Sequence, residues 1–142
     1  MSIIHGTCVS IGETGVLIRG PSGAGKSDLA LRLIDGGAVL VSDDYCEATT
    51  KDGSVILSAP EAIAGRIEVR GLGIVRLTFR PSATLGLVVD LVRGTDIERL
   101  PDETTTDIAG VRVRWMQVDP THASAGAKVR IATRRPLENN DD

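Results

Sequence analysis

Short apolar runs separated by glycine-rich turns fill the first part of the chain. SIIHGTCVSI (2–11) is β-rich and leads through the turn GETG to VLIRG (16–20), apolar as a strand buried on both faces must be. The period then changes: across 26–37, Leu29, Ala30, Leu33 and Ile34 share one helical face, and Gly36-Gly37 supplies the stop. AVLVSDD (38–44) is another buried strand and ends in two carboxylates. YCEATTKDGSVILSAP (45–60) predicts a hairpin with KDGS as its turn, and PEAIAG (60–65) a single helical turn. RIEVRGLGIVRLTF (66–79) alternates, LGLVVDLV (85–92) is a strand, and DIERLPDE (96–103) is a charged connection. GVRVRWMQVD (110–119) puts Val111, Val113 and Trp115 on one face and Arg112 and Arg114 on the other. Residues 121–135 predict a closing helix capped by Thr121, and ENNDD (138–142) a disordered tail. The whole reads as an α/β domain: a mixed, strongly twisted β-sheet with flanking helices, one after the glycine loop and one at the C-terminus.

Composition narrows the function. At 142 residues the chain is one domain, large enough for a single core. Its aromatics are Tyr45, Phe79 and Trp115 alone, too few for a base-stacking surface. A net charge of −3 also argues against a nucleic-acid partner. Cys8 and Cys46 fit neither a disulfide framework nor metal-ligand spacing and suggest a reducing cytosol. The most apolar run, 85–92, is too short to span a bilayer and contains Asp90. The N-terminus has neither the basic region nor the apolar core of a signal peptide. The expectation is a soluble, cytoplasmic protein.

GPSGAGKS (20–27) carries the first chemistry. Strand, glycine loop and helix in that order form a phosphate cradle, in which backbone N–H groups and a helix N-terminus face an anion. Gly20, Pro21, Ser22, Gly23, Ala24 and Gly25 would wrap the phosphates, with Lys26 on the β- and γ-phosphates and the Ser27 hydroxyl on Mg²⁺. Asp43 and Asp44 end the next buried strand, where an acid sits near the metal and the attacking group. Two adjacent acids allow one to serve the metal and the other to accept a hydroxyl proton. The residues alone do not say which is which. Glu68, His5 and His122 carry no comparable signal by themselves.

Taken together, IHG (4–6), GPSGAGKSDLALRLI (20–34), VLVSDD (39–44) and IEVRGLGIV (67–75) resemble the catalytic domain of the bacterial HPr kinase/phosphorylase family. Those enzymes phosphorylate a serine of the phosphocarrier HPr, and many reverse the reaction by phosphorolysis. The resemblance covers most of the chain and weakens after about residue 105. It implies a fold like that of the family and of phosphoenolpyruvate carboxykinase, with a catalytic domain over 1–136 and a tail over 137–142. It also implies ATP and Mg²⁺ as cofactors, with Ser27, Glu68 and Asp43 at the metal. Asp44 would be the general base, His5 would lie close to the active centre, and Arg99 would neutralise charge on the transferring phosphoryl group.

HPr or a related carrier would be the partner, docking partly on the basic end of the closing helix (Lys128, Arg130, Arg134, Arg135), and the enzyme would assemble as a hexamer. Three departures stand out. The chain begins almost at His5, like the short forms of alphaproteobacteria that consist of the catalytic domain. The segment between GLGIV and LVVDLV is short. QVDPTHASAGAKV (117–129) replaces the VRPGRN motif associated with phosphorolysis, so the kinase direction is the expectation. A small-molecule kinase would share the loop and base but leave IEVRGLG unexplained; a nucleotide sensor would not need the double aspartate.

Overall fold

The β-rich segment at 2–11 forms two strands, β1 (Ser2–His5) and β2 (Thr7–Ile11), which join different parts of a sheet. Gly6 is the joint. A Cβ there would lie 2.7 Å from Leu17 Cδ1 and 2.9 Å from the Ile18 carbonyl oxygen, so no side chain fits at this crossing. The computed structural model describes residues 1–97 and 104–134. After β3 (Thr14–Arg19) come α1 (Lys26–Asp35), β4 (Val39–Ser42), and the hairpin β5 (Tyr45–Lys51) and β6 (Ser54–Ser58). Its two-residue turn, Asp52-Gly53, has both φ angles positive (53° and 78°), as the Asp-Gly pair predicts. A 3₁₀ turn at Glu61–Ile63 precedes a second hairpin, β7 (Arg66–Val69) and β8 (Gly73–Arg76), which forms a small sheet of its own. Then follow β9 (Ser82–Leu91), β10 (Thr105–Ile108), β11 (Val111–Val118) and α2 (Ala125–Arg134).

The main sheet is mixed, in the order β1-β5-β6-β9-β3-β2-β4. β9 is the longest strand and the branch point. One edge runs parallel to β3; the other pairs antiparallel with β6 and then parallel with β11, which carries β10. Alternation along the strands splits the interior in two. Val16, Ile18, Leu87 and Val89 meet Leu29 and Leu33 of α1 and Val129 of α2. Leu17 and Val88 face the other way, toward Cys8, Cys46, Val55, Leu57 and Val113. Removing a core leucine such as Leu33 would cost about 2–5 kcal/mol. Val111 and Trp115 pack on the second cluster, as their alternation predicts.

The second cluster is locked at its end by charge. Arg19 donates Nε and Nη2 to the two carboxylate oxygens of Asp90, 2.8 and 2.9 Å away, and Trp115 Nε1 donates to Asp90 Oδ2 at 2.8 Å. The bidentate geometry fixes β3, β9 and β11 directly before the glycine loop begins.

The closing helix begins later than Thr121. Thr121 gives both its N–H and its hydroxyl to Asp119 Oδ1, and α2 starts at Ala125. The predicted tail, Arg99 and Arg135 lie outside the described residues. Among the described residues no helix is long and apolar enough to cross a membrane.

Cys8 and Cys46 are both sealed in the second cluster. Burial raises both thiol pKa values, that of Cys46 from about 9 to about 12. Neither thiol should react with Ellman's reagent in the native protein near neutral pH, and both should react after unfolding. A stoichiometric native reaction would contradict this packing. The stability that Cys46 contributes as a neutral thiol is complete below pH 9 and lost as pH rises toward 12, so the urea midpoint should fall across that window.

Candidate functional site

Gly25 closes the loop between β3 and α1 with φ at +106°, and its amide position serves as the N-cap of the helix. A side chain would be strained at that φ, and its Cβ would also press on Pro120 at 3.4 Å. Ser22, Gly23, Ala24 and Gly25 line a cleft of about 690 Å³ together with Lys26 and Ser27. Gly20 and Pro21 stand behind them. Lys26 Nζ donates to their carbonyl oxygens at 2.9 and 3.1 Å, which holds the ammonium folded over the loop.

The opposite wall is built by the end of β4. Ser42 is the last strand residue, and Asp44 takes φ of +71°, the left-handed region that non-glycine residues rarely occupy. The turn is held by Tyr45 N–H on the Asp43 carbonyl and Gly6 N–H on the Asp44 carbonyl, both 2.8 Å. Consecutive strand residues face opposite sides of a sheet. Asp43 and Asp44 lie past the strand's last residue, in a turn with left-handed φ at Asp44, so that alternation does not separate them and both line the cleft.

Their environments differ sharply. Asp43 is 8% exposed and accepts three hydrogen bonds. Ser27 Oγ donates to Oδ1 at 2.7 Å, Thr7 Oγ1 donates to Oδ1 at 3.0 Å, and the Glu68 N–H donates to Oδ2 at 3.1 Å. The side chain of Asp44 is 55% exposed, and its Oδ1 lies 3.0 Å from His5 Nε2. His5 in turn packs its ring against Tyr45, centroids 5.3 Å apart. Ser27, Asp43 and the cleft-lining Glu68 offer only hydroxyl and carboxylate oxygens, the donor set that suits a hard cation such as Mg²⁺.

Thr7 was not legible as a site residue. It is wholly buried, and besides donating to Asp43 it accepts the Asp44 N–H at 3.1 Å. One hydroxyl therefore sets both aspartates. Its only signal was a polar residue two positions after His5 at the start of a largely apolar strand. Pro120 and Thr121 also line the cleft, from the segment after β11. Asp119 organises that segment: besides Thr121 it accepts the Gly94 N–H at 2.7 Å, and its Oδ2 lies 3.5 Å from His122 Nε2. The Thr121 hydroxyl first, then the Thr121 and Gly94 amides, pull the Asp119 pKa down to about 2. Arg32 of α1 donates to the Pro120 carbonyl at 2.6 Å and completes the fastening.

The chain and its fold have counterparts among known proteins. The family model "HPr Serine kinase C-terminal domain" matches residues 1–131. The chain belongs to that family. The match runs well past residue 105, so the resemblance extends further than the short motifs alone indicate. The HPr kinase/phosphorylase of Bordetella pertussis is 36% identical over 148 aligned residues, covering 96% of this chain and 47% of that protein. That of Clostridium tetani is 38% identical over 122 residues, covering 78% and 40%. The chain thus spans less than half the length of these two relatives. The structure of the Hpr(Ser) kinase/phosphatase from Coxiella burnetii superposes with a TM-score of 0.82 at 26% identity, covering 94% of this chain and 95% of that one. The mixed, curled α/β sheet with its two helices is the fold of that structure.

Of the expected site residues, Lys26, Ser27, Asp43, Asp44 and Glu68 line one cleft with the loop, and His5 reaches it through Asp44. Arg99 lies outside the described residues. Arg130, one of the cations of the expected docking strip, has a contact within the fold: its Nη2 donates to the Arg32 and Leu33 carbonyls, both at 3.0 Å, and so caps the end of α1.

Thr7→Val keeps the shape of the side chain and removes the hydroxyl. It leaves the Asp44 N–H without its partner, and unfolding in urea should show a loss of about 1–3 kcal/mol. Thr7→Ser should retain most of that stability. Equal stability of wild type and Thr7→Val would contradict the role assigned to this hydroxyl.

Proposed function

We propose that the chain is a Mg²⁺-dependent kinase that transfers the γ-phosphoryl group of ATP to a serine of HPr or a related phosphocarrier in the cytoplasm. The observation that carries this reading is the unequal aspartate pair. One carboxylate is immobilised by three donors beside the loop serine; the other stands open to solvent next to a histidine. A metal-holding acid needs the first environment and a general base the second.

In this mechanism the loop N–H groups hold the phosphates, and Lys26 leaves the Gly20 and Pro21 carbonyls to meet the β- and γ-oxygens. Ser27, Asp43 and Glu68 would hold Mg²⁺, which offsets phosphate charge when bound. Asp44 takes the proton of the acceptor serine as its oxygen bonds to the γ-phosphorus. The bond from that phosphorus to the β–γ bridging oxygen breaks, and ADP leaves. His5 steadies the Asp44 carboxylate, and Arg99 neutralises charge on the transferring group.

The exposed face of α2 presents Lys128, Ile131 and Arg134, a basic strip with one apolar residue, which suits contact with the carrier. Assembly as a hexamer would bring such a strip near a neighbour's cleft. The kinase direction is favoured because Asp119 and Thr121 fold the segment that replaces VRPGRN into a tight turn without arginine.

Incubation with Mg²⁺-ATP and HPr from the same organism tests the reading. Wild type should yield phosphoserine on HPr. Asp44→Asn should lower kcat by about 10²–10⁴-fold, the usual contribution of a positioned base. Nucleotide binding with no transfer to HPr would refute the proposal.

A further inference from the structure

The two faces of the β7–β8 hairpin differ completely. Its inner face holds Ile67, 1% exposed, with Val69, Val75 and Leu77 packed against the helix-side core. On the outer face Arg66 stands directly across from Arg76, and Glu68 across from Ile74. Like charges directly opposed on paired strands are destabilising. Yet among the described residues the side chains of Arg66 and Arg76 have no ion-pair or hydrogen-bond partner, and neither has that of Arg70 just beyond β7.

The tip adds exposed apolar surface. Leu72 is 77% and Ile74 69% exposed. Nothing lies within 4 Å of where a Cβ would sit on Gly71 or Gly73, so the tip projects into solvent. Two exposed apolar side chains thus stand beside three cations that have no side-chain partner among the described residues.

The hairpin is also a wall of the cleft. Glu68, Val69 and Arg70 line it together with Asp43 and Asp44. A macromolecule that brings a hydroxyl to Asp44 has further surface beyond that hydroxyl, and the hairpin stands beside the approach.

We propose that the outer face of the β7–β8 hairpin docks the acceptor protein, gripping an acidic surface between Arg66 and Arg76 and an apolar spot on Leu72 and Ile74. This rests on the protein-kinase reading above. A second copy of this chain is the rival occupant.

The test is a double charge reversal, Arg66→Glu with Arg76→Glu, in the full chain, with Lys51→Glu on the β5–β6 turn as a control for a charge reversal away from the hairpin. The double variant should raise KM for HPr at least tenfold and flatten its dependence on salt. Its kcat, and its KM for ATP, should stay within twofold of wild type, and Lys51→Glu should change none of these. A KM for HPr within twofold of wild type would overturn the proposal. So would a change of mass in solution by light scattering with KM unchanged, because the face would then join copies of the chain. If wild type itself transfers nothing to HPr, the kinase reading fails, and calorimetric titration with HPr decides docking alone. Tenfold weaker binding by the double variant would support it, and equal or absent binding would overturn it.

Discussion

The buried carboxylate of Asp43 is the contact on which the rest of this site depends. A charged group 8% exposed is costly unless hydrogen bonds replace its water. Its three donors come from three different parts of the chain: Thr7 at the start of β2, Ser27 in the first turn of α1, and the Glu68 amide on β7. Satisfying one carboxylate therefore draws the helix after the glycine loop, the start of β2 and the separate hairpin to the end of the edge strand β4. Hydrogen bonds to an ionised acceptor are the strong ones, and the arrangement concentrates three of them.

The neighbouring residue gains its role from the same knot. Thr7 accepts the Asp44 N–H with the hydroxyl that donates to Asp43. That bond helps to hold Asp44 at its left-handed φ, where its side chain joins the cleft. Strain of this kind persists only where surroundings over-determine it. Here the Gly6 and Tyr45 amides supply the remaining restraints. On the other side, the Arg19–Asp90–Trp115 clamp fixes the strand from which the loop springs.

Local sequence was enough for what local chemistry decides. The loop, the helix from Lys26, the Asp52-Gly53 turn and the alternation around Trp115 could all be seen in the chain. Contacts between distant segments could not. The split of 2–11 at Gly6 depends on where Leu17 and Ile18 cross it, 11 and 12 residues away. Thr121 looked like a helix cap because its proper partner, Asp119, is a side chain held by Gly94 from a different loop. Arg130 looked like a surface cation, but α1 lies close enough to take it. Thr7 was hidden for the same reason: its value lies wholly in two residues that folding brings from the end of β4.

The central claim is a division of labour between adjacent aspartates, the buried one for Mg²⁺ and the open one for the acceptor proton. Calorimetric titration of ADP with and without Mg²⁺ into Asp43→Asn and Asp44→Asn tests it most directly. The account predicts that Asp43→Asn loses the tightening of ADP binding that Mg²⁺ gives wild type, and that Asp44→Asn keeps it. Loss of that tightening in Asp44→Asn with retention in Asp43→Asn would contradict it.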